Sequence, residues 1–153
     1  MIIRPASERD RAFIVEMARL ACVIEDRPLP PPESAETVGL LPGSGDQALL
    51  ATDENGLPIG APWWFVHEPP LLRTPDGRPL PEMAMAVIER ERGRGVGTAL
   101  IEALAVKAGK RFPALSLNVH IRNPAARLHT RTGFQVAGKG RGRFGVALVR
   151  ELR

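Results

Sequence analysis

The chain has 153 residues, 44% of them hydrophobic and 25% charged, and a formal net charge of +4. That length suffices for one domain with a hydrophobic core of its own, and the balance is that of an ordinary globular protein. The single cysteine, Cys22, excludes an intramolecular disulfide and a cysteine zinc cluster, apolar runs such as Val146–Val149 are far too short for a membrane-spanning helix, and 5% aromatics without tyrosine offer no stacking platform for single-stranded nucleic acid.

The start, Met1–Pro5, has no basic segment followed by an apolar stretch, so a soluble, cytoplasmic protein is expected. His67, His120 and His129 do not have the spacing of a metal motif, and no metal is expected. The arginine-borne positive charge suits a nucleic acid or an anionic cofactor equally well.

Ile2–Arg4 reads as a first strand, and Ser7 with Asp10 as a capping box at a helix start. Phe13, Ile14, Met17, Leu20, Ala21 and Ile24 recur at helical spacing, and Pro28, Pro30, Pro31 and Pro32 stop this helix near Arg27. Arg27–Gly45 is expected to be irregular, with a short helix around Ser34–Leu41. Gln47–Thr52 and Ile59–Val66 read as strands joined by the Asp53–Gly56 turn. Trp63 and Trp64 cannot face the same side of their strand, so one is expected in the core, the other lining an acceptor pocket or a subunit contact. After the proline-rich stretch Glu68–Pro81, Met83–Ile88 forms a strand that runs into a glycine turn and then a helix over Val96–Arg111. Leu115–Ile121 is the next strand; Asn123 and Pro124 open a helix as N-cap and first residue, and Gly133 closes it. Phe134–Gly138 and Phe144–Val149 finish the chain as a strand pair, in one mixed α/β domain spanning residues 1–153.

The turn Arg92-Gly93-Arg94-Gly95-Val96-Gly97-Thr98 lies between a strand and a helix. Glycines let a backbone turn sharply and approach a ligand closely. The first N–H groups of the following helix lack internal partners and lie at the positive end of its dipole, which suits a phosphate or pyrophosphate. The P-loop pattern is absent. The dinucleotide fingerprint fails as well, because Thr98 or Leu100 stands where its third glycine belongs.

What remains is R-x-x-G-x-G at Arg92, Gly95 and Gly97, which resembles the acyl-coenzyme A loop of the GNAT acetyltransferase superfamily. The run from Asn123 to Phe134 (NPAARLHTRTGF) is similar to that family's N-x-x-A-x-x-L-[YH]-x-x-x-G-F helix, and the order of elements matches too. The resemblance implies an α/β (α+β) fold with a mixed central sheet of six to seven strands and about four helices, splayed between the fourth and fifth strands. It implies acetyl-CoA as acyl donor and a small-molecule or peptide amine as acceptor, with a homodimer open and no nucleic-acid or membrane partner. Met85 and Val87 would offer backbone groups to the cofactor, Arg92, Gly93, Arg94, Gly95, Val96, Gly97 and Thr98 would hold its pyrophosphate, and Asn123 would contact the pantetheine side while capping its helix. His129 stands where the family's usual acid, a tyrosine, belongs, and Glu82 at the start of the cofactor strand is the candidate base. Two other readings stand beside the enzyme: a non-catalytic acyl-CoA sensor, and a basic nucleic-acid-associated protein using Lys139, Arg141 and Arg143, which read more simply as a solvated hairpin tip.

Overall fold

Seven strands form one sheet in the order β1-β2-β3-β4-β5-β7-β6, in a computed structural model that describes residues 1–23 and 28–152. The strands are β1 (Ile2–Pro5), β2 (Leu49–Thr52), β3 (Pro58–Phe65), β4 (Glu82–Val87), β5 (Ala114–His120), β6 (Gln135–Lys139) and β7 (Gly145–Glu151). The helices are α1 (Arg11–Ala21), α2 (Ala35–Leu40), α3 (Val96–Ala108) and α4 (Ala126–Arg131), so the element order is the expected one. All neighbouring strands run antiparallel except β4 and β5, which are parallel. The expected end of α1 near Arg27 and the place of Ile24 on its apolar face lie outside the described residues.

Local chemistry sets the element ends. The Ser7 N–H donates to the Asp10 carboxylate at 2.8 Å, the side-chain half of the expected capping box, and Asp10 N–H donates to the Ser7 carbonyl at 2.9 Å. Arg4 grips the same carboxylate with both terminal nitrogens, at 2.8 and 3.1 Å, and so ties β1 to the start of α1. In the β2–β3 turn, Asp53 Oδ1 accepts from the Asn55 and Leu57 N–H groups while Gly56 takes a φ of 80°. Ser34 caps α2 by accepting from Thr37 N–H.

Helices cover both faces of the sheet. Ile14, Met17 and Ala18 of α1 pack on Leu50, Ala61, Trp63 and Ala84, while Ile101, Leu104 and Ala108 of α3 pack on Trp64, Met83, Leu115 and Leu117 across the sheet. This corrects the expectation for the tryptophans. Trp63 and Trp64 do point to opposite faces, but each is 0% exposed because each face has its own helix. Trp63 Nε1 donates to the Leu40 carbonyl at 2.7 Å, which fastens α2 over β3. At the other end of the sheet, Arg150 of β7 forks onto Glu102 of α3 at 2.9 and 3.0 Å and also donates to the Thr132 carbonyl.

Asp10 is the least exposed acid of this first corner, and the Arg4 guanidinium holds its carboxyl well below the ordinary carboxylate range, the Ser7 N–H adding to the effect. A lowered folded-state pKa stabilises above the unfolded value and is lost as pH falls through the folded one. Asp10→Asn should therefore lower the urea midpoint near pH 7, by the equivalent of about 1–2 kcal/mol for a lost cap with its ion pair. The gap to the wild type should narrow below about pH 4. Parallel pH profiles for the two proteins would show that the carboxylate contributes nothing as a charge.

Candidate active site

β4 and β5 touch at one register position, Glu82 opposite Ser116. There the Ser116 N–H and hydroxyl both donate to the Pro81 carbonyl, each at 2.9 Å. Beyond that point β5 stays paired with β7 to His120, and β4 stays paired with β3 to Val87, but the two strands no longer pair with each other. The Ile88 N–H donates to the Ile59 carbonyl, so by antiparallel alternation Ala84 and Ala86 direct their backbone groups to β3 while Met85 and Val87 direct theirs away from it, into the opening. Pro62 sits opposite Met85, a position where β3 needs no donor. On the other wall, Asn118 and His120 share the backbone direction of Ser116. The result is a wedge whose two walls carry backbone polar groups left unpaired by the sheet.

The glycine turn stands at the wide end of the wedge. From β4 the chain passes through a 3-10 turn, Glu89–Glu91, and then through Gly93 and Gly95 at φ 75° and 83°. Gly95 is the N-cap of α3, and its carbonyl takes the first helical bond, from Ala99 N–H at 3.1 Å. The N–H groups of Val96, Gly97 and Thr98 are therefore left without helical acceptors at the positive end of a 13-residue helix. A side chain at Gly95 would meet no neighbour within 4 Å but would be forced into a left-handed backbone; a Cβ at Gly97 would stand 3.0 Å from Leu128 Cδ2 and 3.5 Å from Met85 Cε. Gly97 thus lets α4 and β4 close on the start of α3. Arg92 bends back so that its Nε donates to the Val87 carbonyl at 3.2 Å, its terminal nitrogens making no hydrogen bond among the described residues, while Arg94 is 3.6 Å from Glu91 and mostly exposed.

α4 differs in detail from expectation. Its N-cap is Ala125, and Asn123 instead folds the preceding turn, its Oδ1 accepting from Ala125 N–H at 2.9 Å. The run from Asn123 to Gly133 is one residue shorter than the motif it resembles, and the helix is only six residues long. Gly133 does take the left-handed conformation at its end, with φ 91°. His129 is buried on the inner side of α4, edge-on to Phe134 at 5.9 Å, with Nδ1 unpartnered. Burial pushes its pKa down to about 4, so the ring is neutral near pH 7.

Glu82 is buried at the narrow end of the wedge, 2% exposed, and both of its oxygens are held at 2.6 Å by Arg141 from the β6–β7 connection. The reading of Arg141 as part of a solvated hairpin tip is therefore wrong: its guanidinium also donates to the Pro69 carbonyl, and its backbone N–H to Asn118 Oδ1 at 2.8 Å. Residues 59 apart make this pair, and the only local cue is that Arg141 stands between Gly140 and Gly142 where a tight connection was expected. Among the described residues no group of His, Cys, Asp and Glu could hold a metal ion.

Residues 24–134 match the sequence model of the acetyltransferase (GNAT) family. Comparison with curated protein sequences gave no match. Solved structures do match. Protein smu.2055 of Streptococcus mutans UA159 is 19% identical with a TM-score of 0.71, over 100% of both chains. A GNAT superfamily phosphinothricin acetyltransferase of Sinorhizobium meliloti, in complex with acetyl-CoA, is 22% identical with a TM-score of 0.70, over 98% of this chain and 87% of that one. The yncA protein of Salmonella typhimurium, solved with acetyl-CoA, is 22% identical with a TM-score of 0.70, over 99% and 94%. At these identities the likeness is one of fold.

The neutral state of His129 has a thermodynamic signature. Its folded pKa of about 4 lies below the ordinary value of 6.5, so the native protein binds fewer protons than the unfolded chain between the two. His129→Phe should remove a loss of stability that the wild type shows as pH falls from about 6.5 to about 4. His67 and His120 are common to both proteins, so the difference between their denaturation midpoints isolates His129; a difference independent of pH would contradict the buried, neutral ring.

Proposed function

Because the chain belongs to the acetyltransferase (GNAT) family, we propose that it is an N-acetyltransferase that moves an acetyl group from acetyl-CoA directly to a primary amine while both are bound. The observation that carries this reading is the wedge between β4 and β5 with the α3 N-terminus at its mouth. Unpaired strand-edge groups suit the amides of a pantetheine arm, and helical N–H groups suit a pyrophosphate.

Acetyl-CoA, when bound, supplies an acetyl thioester. Met85 and Val87 offer backbone groups along the arm; because Arg92 Nε engages the Val87 carbonyl, Met85 and the Val87 N–H are the open partners. Gly93, Gly95, Val96, Gly97 and Thr98 present backbone to the pyrophosphate, and Arg92 and Arg94 add charge beside it. Asn123 has spent its Oδ1 on Ala125, so its amide N–H₂ is the part that faces a ligand. A β4 backbone N–H, that of Met85 in the open stretch, stabilises the charge developing on the thioester oxygen.

Transfer requires a neutral amine, its attack on the carbonyl carbon, departure of the thiolate and protonation of that sulfur. His129 is assigned to the sulfur. The neutral ring offers an N–H hydrogen bond to the departing thiolate, and the proton that the sulfur finally takes comes from solvent, because a neutral imidazole does not give one up near pH 7. Glu82 is assigned to the amine: its carboxylate at the narrow end of the wedge attracts the ammonium and receives its proton through water, while Arg141 fixes its orientation. The engagement of both Glu82 oxygens also favours a second reading, an acyl-CoA-binding regulatory module without turnover.

Calorimetric titration with acetyl-CoA, free coenzyme A and ATP tests the binding half. Micromolar acetyl-CoA binding with weak ATP binding is expected, and no binding of either coenzyme A species would sink both readings. Thiol release with a panel of amines then separates enzyme from sensor. Gly95→Val should weaken acetyl-CoA binding by at least about tenfold with the fold retained, since a β-branched residue at φ 83° strains the turn that aims the N–H groups. His129→Phe should cut turnover by about tenfold to a hundredfold, the worth of a hydrogen bond to the charged sulfur, with little change in acetyl-CoA affinity. Equal turnover in His129→Phe and wild type would remove His129 from the chemistry.

A further inference from the structure

We propose that the acceptor is an amine that also carries a carboxylate, and that Arg122 and Arg143, stacked about Phe144 at the end of β5, hold that carboxylate. The inference rests on the acetyltransferase reading and names the substrate class of the same site. Arg122 lies 5.7 Å and Arg143 5.3 Å from the Phe144 ring centroid, and His120 packs on the same ring at 5.3 Å. The Arg122 N–H donates to His120 Nδ1 at 3.0 Å, which joins the turn after β5 to the ring. Phe144 is 43% exposed, an unusual place for an aromatic side chain with two guanidinium groups upon it. Neither arginine belongs to an ion pair among the described residues.

The position of the cluster separates it from the cofactor's phosphates. Leu115, Leu117 and Val119 of β5 face α3, so the alternate residues Ser116, Asn118 and His120 face the other side of the sheet. Glu82, held by the loop that Asn118 also anchors, lies one residue from Met83 of the α3 face and so shares the opposite side with Ala84. The His120–Phe144 cluster therefore stands on the face away from the α3 N-terminus, the face to which Glu82 points. On that face Glu82 lies beside Ser116 and the cluster beside His120, four residues further along β5, so an acceptor spanning the two would carry its amine at one end and its carboxylate at the other. Two uncompensated guanidinium groups braced on one aromatic ring present forked donors to a planar anion, the geometry that suits a carboxylate.

The test compares glycine, β-alanine, γ-aminobutyrate and longer ω-amino acids with their carboxamides, by thiol release with acetyl-CoA and by saturation-transfer NMR on the coenzyme-A-loaded protein. At one or more spacings the carboxylate form should win by about tenfold or more in kcat/KM, the worth of one charge-assisted contact. Arg122→Gln and Arg143→Gln should erase that preference through KM, leave the carboxamides unaffected and leave acetyl-CoA affinity unchanged; both residues are exposed, so the fold does not depend on them. Absence of a carboxylate preference at every spacing, in both turnover and NMR binding, overturns the proposal. So does a loss of acetyl-CoA affinity in either variant, which would assign the pair to the cofactor's phosphates. Failure of acetyl-CoA to bind the wild type is a different result and would overturn the acetyltransferase reading itself.

Discussion

The Pro81 carbonyl receives two bonds from Ser116, through N–H and hydroxyl, and that junction fixes where two parallel strands stop being neighbours. Each strand is fully engaged on its far side, β4 with β3 over six register positions and β5 with β7 over seven. Neither can therefore swing across to close the gap without breaking a complete ladder. Backbone groups facing each other across an opening must be satisfied by water or by a ligand that brings amides of its own. The wedge is thus a consequence of sheet topology, and it makes an extended, amide-bearing molecule the natural occupant. The left-handed glycines before α3 complete it by putting unpaired N–H groups at its mouth.

Electrostatics at the narrow end follow from the same junction. Glu82 is buried because it begins β4 at the one point where the sheet is continuous. A carboxylate there requires a partner, since an unpaired buried charge costs several kcal/mol. Arg141 supplies it, but with 38% of its own side chain exposed the pair is screened from one side, and its net stabilisation falls between those of a buried and a surface bridge. What the pair does firmly is positional. Arg141 brings the β6–β7 connection over the junction, ties it to Pro69 of the β3–β4 connection and to Asn118, and so sets the floor of the face opposite α3.

Sequence patterns reveal features whose cause is local. The Asp53–Gly56 turn, the Ser7–Asp10 half-box, the left-handed Gly133 and the glycine turn before α3 each depend on residues within a few positions, and each stands where its residues predict. The opening between β4 and β5 is not written in either strand; it comes from the resemblance of two motifs and appears in the structure as a single bridge. The features that sequence reading missed are long-range. Period-two alternation separates Trp63 from Trp64 correctly but cannot say that helices cover both faces, so one was expected outside the core. Glycine flanks make Arg141 look like a loop tip, and only the fold brings it to a carboxylate 59 positions away. Asn123 was expected at the N-cap of α4 because its residue type suits that role; in a run one residue short it caps the preceding turn instead.

The two faces of the sheet divide the labour, and the division explains why the polar residues of the site differ so much in character. On the α3 face the free polar groups are mainly backbone, helical N–H groups that cannot titrate and need no side chain to be ordered. The opposite face carries side-chain charge: a buried carboxylate locked by one arginine, and two further arginines braced on an exposed aromatic ring. His129, edge-on to Phe134, sits in an environment dry enough to keep its ring neutral. A neutral donor is compatible with a nearby phosphate-bearing ligand without adding a charge that burial would penalise. The two faces communicate only where the sheet itself is open, because everywhere else along β4 and β5 a paired strand or a packed helix separates them.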